Sequence, residues 1–178
     1  MVLLLPVMLL GTSFLMAQSK AESRQEKKER EAKEQDIAFK KAKAAILDTA
    51  FVVPAQTLKF RNGSLVGVSG TINYLQVIGN KAVLQIGSHL YPGRGLNNVG
   101  GVTLKGNITN LKIKEKKDRV FMTFTLTGLI GTARVAVSIK NSRKATVDVD
   151  GMFSGRFFTM WGDVLTLKEA NVYEGSEW

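Results

Sequence analysis

His89 is the single histidine in 178 residues, so any Ser-His-Asp triad or imidazole metal site must pass through it. It stands beside Tyr91 and Pro92, just before a glycine-rich stretch at 93–101 that also carries Arg94, Asn97 and Asn98. A phenol, two amides and a guanidinium fork on one loop could form the lip of a ligand-binding site, with Arg94 gripping an anion. The same composition also suits an ordinary long polar turn whose glycines answer only to backbone geometry. The loop lacks a Gly-Lys-Ser/Thr ending and does not match G-x-G-x-x-G before a helix, so it is no nucleotide cradle. A G-x-S-x-G elbow is absent as well.

Paired carboxylates are the other route to catalysis. Asp148 and Asp150 are two residues apart, which places both on one face of a strand, with Asp163 further along. Two-carboxylate hydrolysis needs groups roughly 5–9 Å apart in a cleft, and same-face strand neighbours fall near that range. The plainer reading makes Asp150-Gly151 a turn and leaves Asp148 in solvent. The three acids do not follow EF-hand spacing. The chain has no cysteine, which removes disulfides, thiolate metal sites and a cysteine nucleophile together. No cofactor or metal is therefore expected. The aromatic group Phe153, Phe157, Phe158, Trp161, Tyr173 and Trp178 reads first as core, and second as a platform for stacking sugars.

Residues 1–17 are almost wholly apolar and end in Leu15-Met16-Ala17-Gln18, a short hydrophobic core followed by a small residue at a break into polar sequence. That is a secretory leader, with cleavage expected after Ala17. No Lys or Arg precedes the core, which leaves an earlier start codon open. The run is too short for a membrane anchor, which needs about 20 apolar residues. Export to the periplasm or beyond is expected, with no transmembrane anchor in the mature chain.

Residues 18–48 have no Gly or Pro and are rich in Ala, Glu, Lys, Gln and Arg, which predicts a charged helix. Its first half is polar all round, whereas Ile37, Ala38, Phe39, Ala42, Ala45, Ile46 and Leu47 supply a stripe that can dock on a sheet. From residue 49 to 178 the texture changes to Val, Ile, Thr and Phe punctuated by Gly. Asn62-Gly63 predicts a type I′ hairpin, and Gly79-Asn80 a second two-residue turn between strands 71–78 and 81–86. Further strands are expected at 102–104, 108–113, 120–127, 133–139, 145–149, 152–160 and 164–173, with a charged hairpin tip at 114–119. The prediction is one mainly β (α+β) domain: an antiparallel meander of about nine strands, sheet or barrel-like, behind an N-terminal helix.

The formal net charge is +10. Residues 20–48 nearly balance, with nine basic and seven acidic side chains, but residues 49–114 hold seven basic residues and no acid. A surface of that kind attracts polyanions over long range. For an exported protein the expected partners are an anionic envelope component, glycan or lipid, or an acidic protein, and nucleic acid is not expected. Charge also serves solubility alone. The absence of nucleophile and metal constellations favours a non-catalytic binding domain. The alternatives are a hydrolase using His89 or Asp148/Asp150, and a small outer-membrane β-barrel prompted by the alternation.

Several local patterns resemble domain-of-unknown-function family 4251, a group of exported proteins of the Bacteroidota. They are Ala44-Ala45-Ile46-Leu47 leading to Phe51-Val52-Val53-Pro54-Ala55, then Asn73-Tyr74-Leu75-Gln76-Val77, Gly79-Asn80-Lys81-Ala82, and the run from Gly100 to Ile108. The family's turn after the third strand is replaced here by Gly87-Ser88-His89-Leu90-Tyr91-Pro92. The resemblance covers the chain from Ala44 onward. It implies export and a mostly β domain, and no activity.

Overall fold

A computed structural model describes residues 11–87, 101–152 and 156–175. One helix, α1 (Gly11–Leu47), precedes ten strands among those residues. The strands are β1 (Ala50–Phe60), β2 (Leu65–Gly67), β3 (Tyr74–Ile78), β4 (Lys81–Ile86) and β5 (Val102–Lys116), followed by β6 (Arg119–Gly128), β7 (Gly131–Lys140), β8 (Lys144–Met152), β9 (Arg156–Asp163) and β10 (Leu165–Thr166). The mainly β architecture behind an N-terminal helix is as predicted. The helix already spans the residues from Gly11, ahead of the expected residue 18, because Leu, Met, Ala and Gln carry helix propensity through the junction.

All pairings are antiparallel, and β1 closes the sheet into an eight-stranded barrel of β1 and β3–β9. The first half of β1 pairs with β3, from Ala50↔Ile78 to Pro54↔Tyr74. Its second half turns to β9 on the other edge, from Ala55↔Gly162 to Phe60↔Phe158, through a bulge after Ala55. The strands β10 and β2 extend these two edges. Gly162 is required at the seam: a Cβ there would lie 2.0 Å from the Pro54 carbonyl oxygen.

Alternation sorts the side chains. Inside stand Phe51, Val53, Leu75, Leu84, Leu104, Met122, Leu126, Val137, Val147 and Met160, all fully buried. One end of this core is plugged by the helix, where Phe39, Ala42, Ala45 and Ile46 are buried, while Ile37 and Leu47 at the two ends of the predicted stripe are exposed, as are residues 24–36. The plug is tied down by Lys41 on Glu169 (2.6 Å) and Lys43 on Glu115 (2.6 Å). Outward positions of β5–β9 are mostly Lys, Thr, Ser, Arg and Asp. A membrane barrel places its apolar side chains outward, so the closed barrel is the inverse of the predicted outer-membrane alternative.

Four local expectations change. Segments 102–104 and 108–113 are one strand, β5, bent by a bulge between Thr109 and Lys112. Segment 152–160 straddles the β8–β9 connection rather than forming one strand. Segment 164–173 is only the two-residue β10, a turn, and an irregular strap, because no unpaired barrel edge remains for a longer strand. The Asn62-Gly63 turn has positive φ at Gly63 alone (85°), and Gly63 N–H donates to Phe60 O. It is therefore a three-residue loop with glycine in the left-handed position, not type I′. Asn62 spends its side chain accepting the Ser64 N–H at 3.1 Å.

The strap, residues 170–175, lies over the outer face of β3 and β4. Gln85, fully buried on β4, holds it: its amide nitrogen donates to Tyr173 O (2.7 Å) and Ile72 O (3.2 Å). Its amide oxygen accepts from Gly175 N–H (2.7 Å) and the Thr103 hydroxyl (2.9 Å). Under the strap, Val52, Tyr74 and Val83 form a second small core with Ala170 and Val172.

Candidate functional site

The loop residues singled out from sequence, His89, Tyr91, Arg94, Asn97 and Asn98, lie outside the described residues. Asp148 and Asp150 do come together, on the outer face of β8. Cross-strand register builds their surroundings. One outward row runs Lys112, Thr123, Ala136, Asp148, Thr159, and the next runs Thr109, Thr125, Arg134, Asp150. Ala136, the smallest side chain in its row, forms the floor of a hollow of about 300 Å³ rimmed by Asn110, Lys112, Arg134, Asp148 and Asp150.

Local sequence explains this geometry. The bulge in β5 inserts an extra residue beside the hollow, and Asn110 takes the left-handed conformation there (φ 53°), which asparagine tolerates better than most residues. Asp148 is oriented by the Thr159 hydroxyl, which donates to it at 2.7 Å. Arg134 and Asp150 are direct cross-strand neighbours, yet they form no ion pair among the described residues, and neither does Lys112. Same-face spacing puts the two carboxylates about 7 Å apart. Among the described residues the hollow opens to solvent along the sheet. It can present acceptors and donors to a bound molecule.

A second crevice follows the seam between helix and barrel. Arg143 borders two hollows there, of about 250 and 520 Å³, and a third of about 250 Å³ lined by barrel residues alone, and it donates to Asp163 at 3.1 Å. Asp163 is thus engaged in structure and stands apart from the other two acids. Nearby, Glu169 is pulled down to about 2 by the Lys41 ammonium, then by the Thr166 N–H and hydroxyl. Burial pushes the Tyr74 hydroxyl above its usual range, with the Glu174 charge adding to the effect. That hydroxyl has no hydrogen-bond partner among the described residues.

Of the described members of the aromatic group, Phe158 alone enters the core. Phe157 and Tyr173 are exposed and Trp161 is half-buried on the outer face, while Phe153 and Trp178 lie outside the described residues. The strict period of two already separates Phe157 from Phe158. Sequence reasoning missed Lys112, Arg134 and Ala136, whose association depends on register across four strands. Among the described residues no group of acids and histidines could hold a metal ion, and no helix is long and apolar enough to cross a membrane.

Residues 33–164 match the model of a family described as a domain of unknown function, DUF4251. A crystal structure of a DUF4251 family protein from Bacteroides eggerthii DSM 20697 superposes with a TM-score of 0.67 at 26% identity, covering 83% of this chain and 99% of that one. No curated protein matches the sequence.

Proposed function

The chain belongs to the DUF4251 family, and on that premise we propose that it is an exported, non-catalytic domain that binds an anionic component of the cell envelope. The observation that carries this reading is a basic surface on a barrel with a packed interior. Lys112, Lys114 and Lys116 alternate down the exposed side of β5, and Arg119 and Lys140 continue the last row across β6 and β7. Only Arg119 of these five has an ion-pair partner among the described residues, Asp118 at 3.2 Å. The interior is filled with side chains and plugged by α1, so a ligand must meet the outside.

Export is supported by the apolar leader at residues 1–17 and its small-residue boundary at Ala17. Two measurements test the reading. Osmotic-shock fractionation with mass measurement is expected to find a mature chain beginning at Gln18 outside the cytoplasm. Full-length chain retained in the cytoplasm would refute export. Immobilised polyphosphate and vesicles containing anionic lipid are expected to retain the protein at low salt, with affinity falling steeply as salt rises. Salt-insensitive retention, or none, would refute the anionic partner.

A further inference from the structure

Resting on that binding reading, we propose that the hollow between β5 and β8 is a sugar subsite and that the anionic partner is a glycan. Its four charged side chains, Lys112, Arg134, Asp148 and Asp150, sum to no net charge. A simple anion would meet two carboxylates and a metal ion two cations, so neither is the favoured ligand. A sugar ring needs this mixture, because each hydroxyl both donates and accepts. The carboxylates accept, Arg134 and Lys112 donate, and the Thr123 and Thr125 hydroxyls do either. On a sheet face built only for solvation, directly opposed Arg134 and Asp150 would stabilise one another as a pair. Here the two form no ion pair among the described residues although the register sets them opposite each other beside Ala136, which leaves their hydrogen-bonding capacity for a third body.

A zwitterion such as an amino acid would match the signs, but exposed ion pairs contribute little. The surroundings instead suit a longer polymer. One step along the strands, about 7 Å away, a row of Lys114, Phe121, Ser138, Thr146 and Trp161 crosses the same face. Phe121 is 42% exposed and, with Trp161 roughly three strand spacings (about 14 Å) away, offers apolar faces for stacking sugar C–H groups. Lys114 and Lys116 lie where acidic substituents on adjoining units would fall.

The test uses the mature full chain on an array of acidic and neutral glycans, with polyphosphate as the sugar-free polyanion. Two variants are compared, Ala136→Tyr to fill the hollow and Asp148→Asn to remove an acceptor. Both sit on the outer sheet face, and melting curves matching wild type establish that they fold. Wild type is expected to bind acidic glycans, and each variant to lose at least tenfold, while polyphosphate binding is unchanged in Ala136→Tyr and no weaker in Asp148→Asn, which removes a negative charge. Glycan binding that survives both variants refutes the subsite. Binding to polyphosphate with no glycan bound refutes the sugar assignment and leaves the anionic reading standing. Absence of binding to either overturns both. Binding of a free amino acid that displaces the glycan at the hollow also overturns it.

Discussion

Replacing Gln85 with leucine is the most demanding test of how the strap is held. The side chain makes four hydrogen bonds: to the carbonyls of Ile72 and Tyr173, the Thr103 hydroxyl and the Gly175 N–H. At about 0.5–1.5 kcal/mol net for each bond the set contributes roughly 2–6 kcal/mol. Leucine recovers part of this by burying apolar surface, and a lifted strap lets the freed groups of Tyr173 and Gly175 meet water. The expected loss is about 3 kcal/mol, which for a chain of this size lowers Tm by roughly 6–12 °C. Hydrogen exchange gives the local readout. The Tyr173 and Gly175 amides, which donate to Thr71 O and Gln85 Oε1, should lose protection, while the β6 and β7 amides keep theirs. Tyr173→Phe is the control, since its side chain is 60% exposed and the strap contacts use its backbone. If Gln85→Leu melts within about 2 °C of wild type with both amides still protected, the reasoning about the strap is wrong.

Two further outcomes concern the helix. Ile46→Ala, at a fully buried position in the plug, should cost about 2–5 kcal/mol in urea unfolding, whereas Ile37→Ala, 66% exposed, should change stability by less than about 0.5 kcal/mol. Equal effects would show that the helix does not plug the barrel. Glu169 titrates lower in the folded chain than its ordinary 4.5, so its contribution is present above about 4.5 and is lost as pH falls toward about 2. Glu169→Gln should therefore flatten the decline in urea midpoint across that window, and a decline parallel to wild type would count against the Lys41–Glu169 tie.

Alternation carried most of the fold into view. The inward set Val135, Val137, Ile139 is readable as a strand because it repeats with period two, whereas in β6 the apolar but exposed Phe121 blurs the alternation of Val120 and Met122, and Phe124 and Leu126 between threonines carry the signal. The apolar stripe of the helix is readable for the same reason at its own period. Barrel closure was not legible, since it depends on β1 changing partners at a bulge, and no local pattern records a partner roughly a hundred residues away. Segment 164–173 reads as a strand because Val164, Leu165, Leu167, Val172 and Tyr173 are apolar, while the strap at its end is held by Gln85 on another strand. The site divides likewise. The two carboxylates are visible as an i,i+2 pair, but their cationic neighbours are set by register, which short sequence windows do not contain.

The double allegiance of β1 has a kinetic consequence. Its first half has a partner, β3, about twenty residues downstream, but its second half waits for β9, near the end of the barrel. Loop closure on that scale is slow, and it completes the barrel only when nearly the whole chain is available. Until then the row from Ala55 to Phe60 is an unpaired edge, held on one side only by the short β2 hairpin. An unclosed chain of this kind exposes a strand edge to which other chains can pair.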